Sequence, residues 1–490
     1  MTAALIALLA VPLVAGIVSY VSPLPRLSQA LTVIGGLASL GLAVSLVGLG
    51  GSGRISIAGG LLYADSLSVV LLLSVGLVYA TSAVFAVGYL KGEERSASFP
   101  RYARNFYALL NLFAFSMLLV PATDNLGVLW AAVELTTIVS ALMVALEGTD
   151  AAIEAAWKYV LIASAGLALA LLGVVLLYAS GTDALGQAYE PNWTQLLSVS
   201  GKLEPDTVRL AFVFALIGFG TKAGLVPMHT WLPDAHSEGP TPVSALLSGA
   251  LLADAMYAVF RFYGITVQAV GPAFPRTLLL LFGLASLLLA GFFVLIQRNF
   301  KRLLAYSSIE HMGILAVGVA FGAPLALYGV ALHIITHAAT KSMAFFGAGS
   351  ILRKLGTRET GKVSGLIRLM PATGVLFLVA ALAITGLPPF GVFRSEFLIL
   401  AGGFSRAGIW FFLAALLLLL VNLAFLGLFR YANNMVLGEP PAGVKPGEAS
   451  RWMVAAMVLD LAFVLGLGLW VPDALSTLLR GAARIIEGGF

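Results

Sequence analysis

The chain has 490 residues, 60% of them hydrophobic and only 10% charged, where a soluble globular protein carries about 25% charged residues. This balance excludes a soluble domain, and the absence of cysteine excludes protein-ligated iron–sulfur clusters, cysteine-type zinc sites, disulfides and thiol catalysis within the chain. A net charge of +5, scattered over loops without aromatic interleaving, does not describe a nucleic-acid surface.

At about 20 residues per crossing, the apolar segments number about fourteen. They fall near 3–20, 28–50, 66–90, 105–121, 125–146, 155–179, 208–228, 241–262, 276–296, 302–322, 324–348, 370–400, 408–432 and 452–471. The first lacks a basic n-region and reads as a span, not a cleaved signal peptide. The 53 glycines suit closely packed membrane helices. No segment is long enough for a large extramembrane domain, so the expected fold is one all-α polytopic bundle. No GxGxxG or GxxxxGK[ST] motif is present, which argues against ATP-driven pumping by this chain alone.

Loop charge predicts the orientation. Arg95, Arg101 and Arg104, then Arg298, Lys301 and Arg302, then Arg353, Lys354, Arg358 and Lys362, then Lys445 and Arg451 fall in odd-numbered loops. The even-numbered loops hold only Arg54, Lys202, Arg276 and Arg406. The positive-inside rule then places the odd loops in the cytoplasm and both termini on the outer side of the cytoplasmic membrane.

Several polar residues interrupt these segments. Glu134 lies deep in the fifth and Lys158 early in the sixth. Lys222 sits in the apolar run 210–228, five residues before Pro227, and is followed by the polar passage from His229 to Pro242. A lysine near mid-membrane costs about 2.5–3.5 kcal/mol on insertion scales, so it persists only facing a bundle interior or a wet cavity. Glu310 and His311 open the tenth segment behind two serines, near enough to its end for either an interfacial or a buried role. His333, His337 and Lys341 recur every four residues on one stripe of the eleventh. Glu396 follows the Pro388-Pro389 break of the twelfth, and Arg394 lies on a different face. A lone carboxylate of this kind can be structural glue. The histidine pair offers no evident third ligand for a metal, and no cofactor motif appears. Acids, bases and histidines on many helices of one bundle are together what a proton relay requires. The seventh and twelfth segments are both Gly/Pro-interrupted beside an ionisable residue, which points to a midplane site between two inverted five-helix units. The division expected is 1–100, 101–265 (helices 4–8), 266–435 (helices 9–13) and 436–490.

The strings KAGLVPMHTWLPDAHSEGPTPVSALLSG and KRLLAYSSIEHMGI resemble the antiporter-like proton-pumping subunits of respiratory complex I, Mrp antiporters and membrane-bound nickel–iron hydrogenases. They are most similar to the hydrogenase-4/formate hydrogenlyase component F branch. The resemblance implies a fourteen-helix fold with inverted repeats, and an ion path through Glu134, Lys158, Lys222, His333, His337, Lys341 and Glu396. His229, Asp254, Glu310 and His311 are accessory candidates. It further implies that Glu134 pairs with Lys222, that H⁺ or Na⁺ is moved, and that other membrane subunits of a redox complex are the partners. A stand-alone cation/proton antiporter, or the membrane half of an inorganic-carbon uptake pair, is the alternative. Two departures stand out. Three residues, Ala131 to Val133, separate Trp130 from Glu134, displacing the carboxylate by about 4.5 Å along the helix. The eighth segment offers only Ser248 and Asp254 where relatives supply a lysine or histidine linking the two half-channels. The stretch after the fourteenth segment is too short for the long lateral helix of the largest complex I member.

Overall fold

A computed structural model describes residues 1–50, 53–91, 98–187 and 189–489; Arg95, one of the loop cations, lies outside the described residues. Its helices in chain order are α1 (Thr2–Val21), α2 (Pro25–Ser45), α3 (Ser66–Leu90), α4 (Phe99–Leu119), α5 (Leu126–Ala145), α6 (Asp150–Leu185), α7 (Trp193–Ser198), α8 (Pro205–Ala223), α9 (Trp231–Glu238) and α10 (Thr241–Leu246). They continue with α11 (Leu252–Val270), α12 (Ala273–Ile296), α13 (Phe300–Phe321), α14 (Pro324–Leu355), α15 (Leu366–Leu369), α16 (Pro371–Ile384), α17 (Gly391–Phe404), α18 (Ile409–Val436), α19 (Arg451–Leu469) and α20 (Asp473–Ile486). Every apolar segment expected from the sequence coincides with helix. The all-α expectation needs one small amendment: β1 (Ile55–Ile57) and β2 (Leu62–Ala64) pair antiparallel, Ile55 opposite Ala64, as a hairpin before α3.

Among the described residues, eleven helical stretches are long and apolar enough to cross a membrane. Their burial sorts them into shells. The central windows of α3, of α10–α11 and of α13 are wholly buried, whereas those of α1, α2, α12, α18 and α19 leave most of their residues on the outer face. Apolar side chains on that outer face are what lipid contact requires, and small residues let the backbones close up inside. At the α12–α13 crossing, a Cβ on Gly283 would stand 2.9 Å from the Gly313 carbonyl, and one on Gly313 2.8 Å from the Gly283 carbonyl.

Helix ends are set by side-chain caps. Asn125 accepts from the amides of Gly127 and Val128 to start α5, and Asn299 accepts from those of Lys301 and Arg302 to start α13. Both breaks foreseen in the sequence are present. α8 stops at Gly224, in left-handed conformation with φ 78°, and the chain resumes at α9. α16 stops before Gly386, φ 66°, and the chain resumes at α17. Positive φ favours glycine at both stops. A third irregularity was not foreseen: residues Leu247–Leu251 form a π turn joining α10 to α11. Such bulges displace one face of a helix and leave backbone groups free to be re-satisfied.

Candidate ion path

Lys222 is the penultimate residue of α8 and is fully buried. The end of a helix carries partial negative charge, so the break supplies some of the stabilisation a buried ammonium lacks. Its Nζ donates to Thr137 Oγ1 of α5 at 2.8 Å and to the Tyr159 hydroxyl of α6, and stands 4.6 Å from the Tyr159 ring centre. Tyr159 in turn shares a 2.8 Å hydrogen bond with Ser140, one turn beyond Thr137 on α5. Glu134 lies one turn before Thr137. Its Oε1 accepts from Ser164 at 2.7 Å, and its buried Oε2 has no hydrogen-bond partner. The expected direct Glu134–Lys222 pair is therefore not formed in this state. Thr137 and Tyr159 hold the ammonium instead, and the carboxylate sits a helical turn away.

The passage after the break folds back over this site. Trp231 of α9 stacks on Tyr159 with ring centres 4.3 Å apart, and its indole donates to the Thr221 carbonyl at 2.8 Å. His236, at the other end of α9, is fully buried, and neither ring nitrogen has a hydrogen-bond partner. Its ring lies 6.4 Å from Trp231 and 5.6 Å from Phe345 of α14. His236 thus stands between the Lys222 site and α14. In the sequence it lies within the polar passage from His229 to Pro242; only the return of α9 into the bundle brings it against α14. Replacing it with phenylalanine keeps an aromatic ring and removes the titratable nitrogens. Flux through His236→Phe is expected to fall about tenfold, about 1.4 kcal/mol of barrier, with assembly intact. Wild-type flux in vesicles would remove it from the path.

On α14, Lys341 is fully buried and donates to the Leu304 carbonyl at 3.1 Å and to the Ser307 hydroxyl, both on α13. The neighbouring Ser308 shares a 2.7 Å bond with Ser248 of the π turn, so the eighth segment joins the row through a hydroxyl. Asp254 is buried six residues further on, with neither carboxylate oxygen hydrogen-bonded. Glu310 and His311 prove to be mid-helix: α13 begins at Phe300 and ends at Phe321, so both are central and buried. Glu310 is within electrostatic reach of Lys341 and of Glu396.

Three histidines and a glutamate then converge. His311 Nδ1 lies 3.0 Å from His333 Nε2 and 3.7 Å from Glu396 Oε1. His333 Nδ1 is 2.9 Å from Ser395 Oγ. His337 is buried with both ring nitrogens unpartnered, its ring centre 5.0 Å from that of His311. The Glu396 carboxylate packs into the break of its own segment, against Gly386, where any Cβ would strike it. The fold does not complete the His333–His337 pair but gathers a different trio: donor atoms of His311, His333 and Glu396 lie within 4.8 Å of one another and could hold a divalent cation.

Other expected residues lie apart from this row. Lys158 is half-exposed rather than buried in the bundle, paired with Glu154 at 2.5 Å and Asp234 at 3.6 Å. Asp234 also holds Arg302 at 3.0 Å, so Lys158 belongs to a rim clamp joining α6, α9 and α13. Exposed pairs of this kind contribute about 0–1 kcal/mol. Lys158→Ala is accordingly expected to lower thermal stability slightly and leave most flux intact; loss of flux at unchanged stability would return it to the path. His229 lies on the loop between α8 and α9, its ring 6.5 Å from that of Tyr306. Arg394, two residues before Glu396 on α17, is half-buried. Lys301, counted as a loop charge, is buried in α13 and donates to the Gly239 carbonyl at 2.7 Å. Asp460 was overlooked, although a lone carboxylate in an apolar run is the same signal that marked Glu134. It is fully buried on α19, beside the hydroxyls of Thr81 and Ser342.

A helical membrane bundle with ionisable side chains strung between two broken helices is the class of protein that the fold and site define. Residues 123–421 match the family model described as NADH:quinone oxidoreductase/Mrp antiporter, TM, and the chain belongs to that family. The Hydrogenase-4 component F homolog of Methylacidiphilum infernorum (isolate V4) is 37% identical over 410 residues, covering 83% of this chain and 85% of that protein. NADH-quinone oxidoreductase subunit N of Desulforudis audaxviator (strain MP104C) is 35% identical over 400 residues, 79% of this chain and 76% of that protein. A chain of respiratory complex I from Thermus thermophilus with bound NADH superposes with a TM-score of 0.83 at 26% identity, covering 99% of this chain and 100% of that one.

Proposed function

We propose that this chain is an antiporter-like membrane subunit of a complex I-like redox assembly, of the membrane-bound [NiFe]-hydrogenase type or a related oxidoreductase, and moves protons, or sodium ions, across the cytoplasmic membrane. The observation that carries this is the buried row from Lys222 through His236 and Lys341 to the His311–His333–Glu396 cluster. The redox centres belong to other subunits. α8, α14 and the α16–α17 pair cross the membrane in addition to the eleven apolar stretches, making fourteen crossings. α8 carries Asp206, Arg209 and Lys222, α14 carries His333, His337 and Lys341, and α16 and α17 are each only 14 residues long, with the break between them.

Three parallels support the inverted units 101–265 and 266–435. α5 and α13, five crossings apart, each open on an asparagine that caps two amides. Each of those asparagines also forms an isolated bridge to the loop beyond the following long helix, Asn125 with Asn192 and Asn299 with Glu359. The α8 break recurs five crossings later between α16 and α17. Loop cations support termini on the outer side.

In the mechanism proposed, Lys222 carries a proton held by Thr137, Tyr159 and the nearby Glu134 charge. A charge change at a neighbouring subunit draws Glu134 away from this role. An ammonium that loses its compensation in a buried site is strongly disfavoured, so the proton leaves through His236 toward Lys341. The histidine cluster passes it to Glu396 and the second break. Purifying the native complex tests the reading. Co-migrating hydrogenase or dehydrogenase subunits are expected, with dye-detected acidification of vesicles driven by their substrate. A particle of small membrane subunits alone would favour the stand-alone antiporter instead.

A further inference from the structure

Away from the ion path, a groove runs along the outside of the bundle between α1 and α4, with a volume of about 560 Å³. Leu13 and Ile17 of α1 and Leu109 and Leu112 of α4 line its length, so the trough is apolar. Its floor is closed by near-contact of the two helices: a Cβ on Gly16 would stand 3.3 Å from the Ala108 carbonyl. One end differs sharply. There Tyr20 of α1 meets Arg101, Arg104 and Asn105 of α4. The Arg104 guanidinium lies 5.5 Å from the Tyr20 ring centre, and its Nε is buried without a hydrogen-bond partner. Arg26 lines two further recesses, one with Lys91 and the other with Phe99, the first residue of α4.

Length selects the occupant. The lining residues of α4 run from Arg101 to Leu112, and a helix rising about 1.5 Å per residue covers about 16 Å over that stretch. Half of a hydrocarbon core about 30 Å thick is about 15 Å. A partner's transmembrane helix would need a trough twice as long, whereas one acyl chain of a single leaflet fits. Arginine pairs bind phosphate through parallel hydrogen bonds, and basic recesses at the ends of membrane helices suit anionic headgroups.

We propose that the α1–α4 groove binds an anionic phospholipid, with one acyl chain in the trough and the phosphate on Arg101 and Arg104. The inference needs only that the chain spans a membrane, and is independent of what the ion path conducts. The test is native mass spectrometry of the full-length chain released from nanodiscs containing equal phosphatidylglycerol and phosphatidylcholine. One phosphatidylglycerol per chain is expected to survive activation that strips phosphatidylcholine. The Arg101→Gln/Arg104→Gln variant is expected to lose this retention about tenfold. Ile17→Trp, which fills the exposed wall with both arginines intact, is expected to lose it likewise. Equal retention of the two lipids by the native chain, or unchanged phosphatidylglycerol retention in both variants, would overturn the proposal. So would an assembled complex in which a neighbouring subunit's helix occupies the groove.

Discussion

Lys222→Ala is expected to reduce ion flux to the background leak while the protein still inserts and assembles. Insertion becomes easier, because the substitution removes a charge that costs about 2.5–3.5 kcal/mol at the centre of a membrane helix. What it destroys is a titratable group at the α8 break that touches both α5 and α6, through Thr137 and Tyr159. The measurement is a pH-dye assay of the complex in vesicles, with membrane content checked by immunoblot. The structure also ranks its neighbours. Tyr159→Phe removes one acceptor and leaves Thr137, so it should cut flux partially. Glu134→Gln acts at a distance and should be milder than Lys222→Ala. Because the Glu134 charge acts on Lys222, the Glu134→Gln/Lys222→Ala double variant should be no worse than Lys222→Ala alone. Normal acidification by Lys222→Ala would end the assignment of this row as the path, and fully additive losses would show that the two residues act independently.

Glu396→Gln is the second substitution expected to stop flux. It keeps the shape of the side chain and its place against Gly386, yet cannot accept a proton from His311, 3.7 Å away. Gly386→Ala approaches the same point from the other side. Its Cβ would have to displace the carboxylate, and its φ of 66° is a conformation alanine adopts only with strain of about 1 kcal/mol or more. Both variants are expected to stop acidification, and Gly386→Ala should additionally lower the melting temperature. Arg394→Ala, on the neighbouring face, is expected to leave the path open and to slow or weaken assembly. If Glu396→Gln conducts normally while Arg394→Ala does not, the two roles are reversed.

Particular residues show where sequence reasoning held and where it ran out. Lys222, His333, His337, Lys341 and Glu396 were legible because a titratable group in an apolar run has few tolerable environments, and each is buried as that logic demands. Asp460 carried the same signal. His236 could not be read in this way: its surroundings in the chain are polar, and only the α9 return brings it against Phe345. His311 was placed near a helix end because the apolar run is ambiguous there, whereas the Asn299 cap begins α13 early enough to make it central. Lys158 shows a different limit. Apolar neighbours along the chain do not say which face of α6 a residue occupies, and this one faces outward to Glu154 and Asp234.

The sequence by itself determined the membrane bundle, its helical segments, the two breaks and most of the ionisable residues, because hydrophobic length and the cost of buried charge are local properties. Tertiary structure alone decided who touches whom. Hydrogen bonds and charge contacts depend on distances between helices far apart in the chain, and these are set by close packing at glycines and by the return of α9. That packing put Thr137 and Tyr159, rather than Glu134, on the Lys222 ammonium, and gathered three histidines and Glu396 from three separate helices into one cluster.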